Sequence, residues 1–493
     1  MDNRVYFVDQ TLRDGHQSLW ATRMSTAATV AVAPVIDEAG YRRVQLMGGG
    51  QVSACLYYLR ENPFERVRLV ARAMPNSPIG FGTPHRTIGQ FQVVPESVRE
   101  LWMRCWAEAG AKCVGINEHL GNYAELSDMV KIARRLGLIV DISLVFAISP
   151  VHTDEFYARK AAEIAETLKP DSLWIKDSMG LLTPERTRTL VPAVLKNSGN
   201  VPVEFHAHCN NGLAPLCYLE AVRLGIRIVQ TCVPPLAQGL SIPSALNVER
   251  NLRLLGYQPM VDRNAMEAES AHFTYVAERE GKPVGAPVEY DAYHQTHGMA
   301  GGVISNLKWM LEQRGLQHRW EEVVEEIHLM CKEWGYPPSV TPFSQVLSVQ
   351  AVLNISVGER YAVAPDETIR YLLGHFGRPP APIDQNVLDK VLSLPQARRF
   401  IDWEEPQPSI EDLRKESGQP GISDEELLLR LLYPKQHVDA MLAAEPSRTS
   451  YPRADKPAMA LIKELTRRKD ASYVRLEKKG ISLALRQIGG RRK

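Results

Sequence analysis

The 493-residue sequence lacks the features that mark membrane, secreted and nucleic-acid-binding proteins. Its formal net charge is only +1, which argues against a nucleic acid or an acidic membrane surface as the main partner. No apolar run approaches the roughly 20 residues that a membrane-spanning helix needs, and the first residues, MDNRVYF, carry no secretion-type apolar stretch. The seven cysteines are odd in number and show no CxxC spacing, so we expect reduced thiols and a cytoplasmic location.

The sequence also has no GxGxxG segment after a strand, which disfavours a doubly wound open sheet of the dinucleotide-binding type. Short apolar runs instead alternate with helix-length amphipathic segments as far as about residue 260. Eight such alternations predict an α/β fold of the (β/α)8, or TIM, barrel type, with the open sheet as the second choice. The predicted strands are Val5–Val8, Arg43–Leu46, Ile79–Phe81, Cys113–Ile116, Ile139–Leu144, Ser172–Ile175, Val203–Phe205 and Ile228–Thr231.

The length of the chain implies two or three domains, because one compact core rarely grows this large. We predict a catalytic barrel over residues 1–288, a mostly helical accessory domain over 289–445 and a basic C-terminal tail over 446–493. Within the tail, Tyr473–Leu476 and Ile481–Leu485 flank Lys478-Lys479-Gly480, which is typical of a hairpin.

A cluster of polar side chains follows the first predicted strand: Asp9, Arg13, Asp14, His16 and Gln17. The active site of a parallel barrel lies where its strands end, so this cluster is a candidate for chemistry. A surface loop with a capping Asp is the competing interpretation, since short Asp/Arg/Gln clusters often serve that purpose.

The clearest chemical pattern is His206-Ala207-His208 at the end of the seventh strand. Side chains at i and i+2 of a strand share a face, so both imidazoles can reach one metal ion. Two histidines and a carboxylate form an open site suited to a catalytic divalent ion. Asp14 can supply that carboxylate, and Asp9 is the competing choice.

Lys176 follows Leu-Trp-Ile at the end of the sixth strand. Burial lowers the pKa of a lysine, and the neutral amine can form a Schiff base or take up CO2 as a carbamate. An ion pair with neighbouring Asp177 is the structural alternative.

These residues lie within motifs of a known family. Asp9 to Gln17 reads D-x-T-L-R-D-G-x-Q, and similar motifs recur at Asn62–Arg66, Ile175–Pro184, Val340–Pro342 and Leu432–Lys435. The sequence resembles the carboxyltransferase component of biotin-dependent pyruvate carboxylase, the oxaloacetate decarboxylase α subunit and transcarboxylase. The resemblance covers roughly residues 5 to 440.

The resemblance implies a barrel followed by an accessory carboxyltransferase domain, and a divalent ion (Zn, Mn, Mg or Co). Asp14, His206, His208 and a carbamylated Lys176 would hold the ion. Arg13 and Gln17 would contact the oxygen of a ketone or enolate, with Arg13, Gln17 and Lys176 as catalytic residues.

The sequence departs from the family pattern at several points. Leu240 stands where the resemblance places the catalytic threonine, and Ser241 is the candidate replacement. Pro84 stands where a carboxylate-binding arginine is expected, and Arg86 or His85 could compensate. These exchanges predict an acceptor larger or less charged than pyruvate, bound near Arg13, Gln17, Arg86 and Leu240.

No A-M-K-M biotin attachment motif occurs, so biotin is expected on a separate carrier protein. The leading hypothesis is therefore a carboxyltransferase subunit that transfers a carboxyl group from carboxybiotin to a carbonyl-containing acceptor through an enolate-type intermediate. Its expected partners are a biotin carboxylase, a biotin carrier and further copies of the chain as a homo-oligomer. The alternatives are a biotin-independent metal-dependent lyase, decarboxylase or aldolase, and a non-catalytic scaffold subunit.

Overall fold

Eight parallel strands close into a barrel, as predicted. The computed structural model describes residues 2–89, 92–299, 301–452, 473–478 and 481–486. The last strand pairs with the first, Tyr6 opposite Ile228 and Asp9 opposite Thr231, which closes the sheet. The barrel strands are β1 (Arg4–Asp9), β2 (Arg43–Met47), β3 (Ile79–Pro84), β4 (Cys113–Glu118), β5 (Ile139–Val145), β6 (Ser172–Asp177), β7 (Val203–Ala207) and β8 (Ile228–Thr231).

Several strands extend past their apolar runs into the polar residues that follow. β6 reaches Asp177 and β7 reaches Ala207, so the ladder between them places Lys176 opposite His206. Backbone hydrogen bonding between neighbouring strands holds these polar residues in extended geometry. Lys176 and His206 therefore occupy strand ends, whereas Asp14 lies on the turn after β1 and His208 directly follows β7.

Helices cover the outside of the barrel, and several begin at side-chain caps. The Thr153 and Thr183 hydroxyls accept the N–H groups of Phe156 and Arg186. Gly137 and Gly225, which follow helices, have φ values of +71° and +122°. The longer helices here are Thr26–Glu38, Pro63–Ala73, Glu96–Ala109, Ser127–Arg135, Asp154–Glu163, Pro184–Asn197, Ala214–Arg223, Ala245–Leu254 and Arg263–Glu280, with shorter ones at His16–Leu19 and Gly49–Ala54.

The interior of the barrel contains a buried ionic cluster. Arg43 contacts both oxygens of Glu204 at 2.6 Å and Asp141 at 3.0 Å. Burial raises the pKa of Asp141 to about 7, against the pull of Arg43. The Ser172 hydroxyl donates to the other Asp141 oxygen at 2.7 Å. These charged and polar side chains form a layer inside the barrel, beneath the candidate site residues.

A second hydrophobic core belongs to the helical region after the barrel. Trp334 and Tyr371 stack at 5.0 Å between ring centroids, and Phe343 packs edge-on against Tyr371. The helices of this region are Ala292–His297, Gly301–Gln313, Trp320–Glu333, Phe343–Val357, Asp366–Leu372, Gln385–Leu392 and Arg398–Ile401.

The chain then returns to the barrel. Helices Ile410–Glu416, Asp424–Leu432 and Lys435–Leu442 follow, and Leu427–Leu429 join the barrel's hydrophobic core. Arg104 on the barrel pairs with Asp424 at 2.6 Å. Tyr473–Lys478 and Ile481–Arg486 pair antiparallel, as expected of a hairpin, with residues 479–480 outside the described part. No helix in the described ranges combines the length and apolarity needed to cross a membrane.

Candidate active site

Asp14, His206 and His208 converge at the carboxyl ends of β1 and β7. Asp14 lies on the turn Thr11–Gly15 directly after β1, where the Gly15 N–H donates to the Gln10 carbonyl at 3.0 Å. Its two oxygens are 3.7 Å from His206 Nε2 and 3.4 Å from His208 Nε2, and all three residues are buried. Of the two candidate carboxylates, the geometry selects Asp14. Asp9 instead binds the Thr11 N–H at 3.0 Å.

The ring nitrogens of both histidines are arranged as metal ligands are. His208 Nδ1 lies 2.7 Å from the Leu240 carbonyl oxygen, which can only accept, so Nδ1 carries the proton. In the neutral ring the Nε2 lone pair then faces the Asp14 carboxylate; without an ion, burial is outweighed by Asp14, which raises the pKa of His208. His206 Nε2 is buried with no hydrogen-bond partner in the described structure. A lone pair beside a carboxylate is repulsive until a cation lies between them, so this donor set fits a divalent ion.

The electrostatics of the cluster keep Asp14 ionised. Burial disfavours its charged form, but Arg13 and, when protonated, His208 and His206 outweigh burial and hold the pKa of Asp14 well below its usual value. Arg13 Nη2 lies 2.9 Å from an Asp14 oxygen, and the Ser18 hydroxyl donates to the other at 2.9 Å. Burial lowers the pKa of His206 well below its ordinary value, which favours the neutral ring that a metal requires.

Lys176 lies beside this cluster with its ammonium facing the interior. Nζ donates to Asn117 Oδ1 at 2.7 Å and lies 4.9 Å from the centre of the Trp174 ring. Burial lowers the pKa of Lys176 to about 7, Arg13 lowers it further, and Asp14 opposes both. The ion pair with Asp177 is wrong: Asp177 lies on the other face of β6 and accepts the Leu182 N–H at 2.7 Å.

Two adjoining cavities open above these residues. The mouth cavity has a volume of about 410 Å³, and the adjoining cavity, which reaches Asp14 and His208, about 270 Å³. The helical region contributes to both walls, which therefore combine barrel and accessory residues. Six residues line both cavities: Arg13, Gln17, His119, Lys176, Thr341 and Gln345.

Two candidates are not brought to these cavities. The Ser241 hydroxyl is fully buried and donates to Cys232 Sγ at 3.7 Å, so its predicted role as a replacement for threonine is not supported. Arg86 pairs with Glu125 at 2.6 Å and, with His85, lines only a separate space of about 20 Å³. Leu240 does line the adjoining cavity, but its defined contact is the backbone carbonyl on His208.

Sequence reasoning missed several residues that surround the site. Gln10 and Gln45 line the mouth cavity, and Gln230 contacts His206 from β8. The sequence did contain a signal for such residues. An amide in an otherwise apolar barrel strand is unusual, because a buried amide needs hydrogen-bond partners. Whether the amide side chain points into the barrel is decided only by the register of the strand.

The geometry defines the class of (β/α)8 barrels with a buried Asp–His–His cluster at the barrel mouth. Comparison with known proteins narrows this class. A family model described as "Conserved carboxylase domain" matches residues 295–478, and an "HMGL-like" model matches residues 121–262.

The relatives are similar over most of their length. A pyruvate carboxylase subunit of Methanocaldococcus jannaschii is 34% identical over 452 residues, which cover 90% of this chain and 79% of that protein. The 2-oxoglutarate carboxylase large subunit of Hydrogenobacter thermophilus is 28% identical over 453 residues, covering 90% and 69%. The chain belongs to the carboxyltransferase family of biotin-dependent carboxylases, whose members are enzymes.

A solved structure supports the fold. The carboxyl transferase domain of Rhizobium etli pyruvate carboxylase, solved with oxamate and biotin, superposes with a TM-score of 0.79 at 23% identity. The match covers 90% of this chain and 78% of that one. The barrel and the helical region that follows it are thus a shared architecture.

Proposed function

We propose that this chain is a carboxyltransferase subunit that moves a carboxyl group from carboxybiotin, carried on a separate protein, to a 2-oxo acid. The observation that supports the proposal is the arrangement of Asp14, His206 and His208, with both Nε2 atoms facing a carboxylate beside Arg13. The relatives' names support the acceptor class, since they specify pyruvate and 2-oxoglutarate carboxylases.

The reaction needs stabilisation of negative charge on the acceptor oxygen. The acceptor loses a C–H proton next to its carbonyl, a C–C bond forms as the N–C bond of carboxybiotin breaks, and the biotin nitrogen gains the proton. A divalent ion held by Asp14, His206 and His208 would supply Lewis-acid stabilisation of that oxygen. The Arg13 guanidinium and the Gln17 amide line the cavity and can bind the same oxygen by hydrogen bonds.

We also propose Lys176 as a fourth ligand after carbamylation. Its pKa of about 7 keeps much of the amine neutral near neutral pH, which is the form that adds CO2. A C–N bond forms at Nζ, one proton leaves to solvent, and the product is an anionic oxygen donor. The carbamate would exchange the present contact with Asn117 for one with the ion.

Two supports for the acceptor's identity point in different directions. Similarity to the Methanocaldococcus jannaschii pyruvate carboxylase favours pyruvate. Pro84 and its neighbours Gly48, Gly82, Gly115 and Thr87 add no charge to the mouth cavity, whose cationic lining residues are Arg13 and Lys176, and the missing third cation favours the predicted larger or less charged acid. Carboxyl transfer to each member of a panel of 2-oxo acids decides between pyruvate and the larger or less charged acid.

The test is reconstitution with a biotinylated carrier bearing ¹⁴C-carboxybiotin. We expect label to move to one or more 2-oxo acids, and to stop moving in the His208→Gln variant but not in the Arg86→Gln variant. Transfer by the wild-type chain that persists unchanged in His208→Gln would contradict the proposal. Metal-dependent cleavage of a 2-oxo acid without any carrier would instead support the lyase alternative.

The partners and the assembly are part of the same proposal. The relatives are themselves named as subunits of their carboxylases, which implies separate chains, and we propose a biotin carboxylase and a biotin carrier for this one. We further propose that the chain assembles as a homo-oligomer. Co-purification of biotinylated protein, together with the mass from light scattering, tests both.

A further inference from the structure

Two buried amides, Gln10 and Gln230, form a chain inside the barrel that branches to the metal-ligand candidate His206. Gln10 Nε2 donates to Gln230 Oε1 at 2.7 Å. Gln230 Nε2 donates to Glu204 Oε2 at 2.7 Å, and Gln230 Oε1 lies 3.0 Å from His206 Nδ1. Glu204, His206 and Gln230 are fully buried and Gln10 nearly so, which excludes solvent from the chain.

The direction of every hydrogen bond in this chain is determined by its ends. Glu204 has both oxygens bound by the Arg43 guanidinium at 2.6 Å, so it is a carboxylate that can only accept. The Gln230 amide must therefore turn its NH2 group to Glu204 and its oxygen to His206.

The other end gives the same result independently. Arg13 Nε can only donate, and it donates to Gln10 Oε1 at 3.3 Å. Gln10 must then present its NH2 group to Gln230, whose oxygen faces it. The Glu204 carboxylate at one end can only accept and the Arg13 guanidinium at the other can only donate. Both ends therefore require the same orientation of the two amides.

From this geometry we infer that Gln230 is a positioning residue that holds His206 in the tautomer with the proton on Nδ1 and the lone pair on Nε2. The inference rests on the proposed metal site, because the Nε2 lone pair faces Asp14 Oδ2 at 3.7 Å. His208 reaches the same state by a different route, through the Leu240 backbone carbonyl. Both ligands therefore have neutral carbonyl partners, which orient the ring without adding charge.

The chain also connects the substrate side of the site to its metal side. Arg13, which lines both cavities, lies at one end of the amide chain, and His206 lies at the branch. A purely structural role would need only that each buried polar atom be satisfied. A positioning role requires in addition that His206 Nδ1 face a hydrogen-bond acceptor, so that this nitrogen carries the proton.

The test uses the full chain and two readouts, with Gln230→Leu, Gln230→Glu and Gln350→Leu compared with the wild type. Histidine ¹⁵N spectra of the metal-free protein report the tautomer, with the His206 signals assigned by their loss in His206→Gln. Competition with a chelator gives the affinity for Zn²⁺ and Mn²⁺. Gln350→Leu is the matched control, because it removes a fully buried amide of the helical region that is bound to Asn354 and the Val363 carbonyl.

We expect wild-type His206 to show the Nδ1–H tautomer and Gln230→Leu to lose it, with metal affinity about 10–100-fold weaker. Gln230→Glu should restore both, because a protonated Glu can donate to Glu204 while its carbonyl accepts from His206. The Gln350→Leu control should match the wild type in both readouts.

A wild-type His206 with its proton on Nε2 would overturn the inference, even if Gln230→Leu failed to fold. Unchanged tautomer and affinity in folded Gln230→Leu would overturn it too. A wild-type chain with the Nδ1–H tautomer that binds no Zn²⁺ or Mn²⁺ would instead count against the proposed metal site and leave the positioning of the ring intact.

Discussion

The most informative single perturbation is Lys176→Met, which removes a buried amine and keeps its stem. Burial lowers the pKa of Lys176 from 10.5 to about 7, so about half of the side chain is neutral at pH 7. An ordinary lysine is neutral only about once in 3,000 at that pH. At pH 7 the neutral, nucleophilic fraction of Lys176 is therefore about a thousand-fold larger than that of an ordinary lysine.

The same lowering has a consequence for stability. The lowered pKa corresponds to a free-energy penalty of about 5 kcal/mol for the charged lysine in the folded state. This value is an upper bound, because solvent in the cavities that Lys176 lines screens the charge. Below about pH 7 the lysine is charged in both the folded and unfolded states, so the folded state bears the whole penalty. Between about 7 and 10.5 only the unfolded state still holds the proton, so stability rises with pH.

Trace labelling with acetic anhydride across pH 5.5–9.5 in CO2-free, metal-free buffer measures the amine directly. We expect the labelling of Lys176 to have its midpoint near pH 7. The melting temperature of Lys176→Met should exceed that of the wild type most at low pH, with the gap closing as pH rises. Lys112→Met, at an exposed lysine, is the control and should run parallel to the wild type. A labelling midpoint near 10, or parallel melting curves for Lys176→Met, would refute the argument.

Three further predictions test separate parts of the account. Arg13→Ala should reduce kcat/KM for carboxyl transfer about 10²–10³-fold, measured with the ¹⁴C assay, because it removes a charged donor to the developing oxyanion; a change below threefold would contradict that role. Ser241→Ala should keep transfer within about twofold of wild type, since its hydroxyl faces Cys232 rather than a cavity; a loss above tenfold would restore Ser241 as a catalytic candidate. Gly285→Ala should destabilise the fold by about 1–3 kcal/mol or more, because its Cβ would overlap the Ala237 carbonyl oxygen; Gly421→Ala, with open space around it, is the control in urea unfolding, and equal midpoints would contradict the clash.

The barrel was predictable because its signal is local. Each barrel strand contains a short apolar run, and several helices begin at a recognisable cap, as at Thr153 and Thr183. The His206–His208 pair was predictable for the same reason, since i and i+2 on a strand share a face. The family resemblance then added Asp14, which the residues alone did not separate from Asp9.

What escaped prediction depends on partners far away in the chain. Ser241 neighbours a cavity-lining leucine, but its side chain turns to Cys232, and only the three-dimensional turn decides that. Arg86 is drawn to Glu125, 39 residues later. The return of helix Asp424–Leu432 to the barrel core depends on long-range packing, which leaves no local mark in an amphipathic pattern.

The central claim is that Asp14, His206 and His208 together hold one divalent ion. The most direct test is metal stoichiometry by mass spectrometry after dialysis against Zn²⁺, Mn²⁺, Mg²⁺ and Co²⁺ in turn, for the wild type, His206→Ala and Arg86→Ala. The account predicts about one equivalent of a single preferred metal in the wild type and Arg86→Ala, and less than about a tenth of that in His206→Ala. Equal metal content in wild type and His206→Ala, or no retained metal in the wild type, would contradict it.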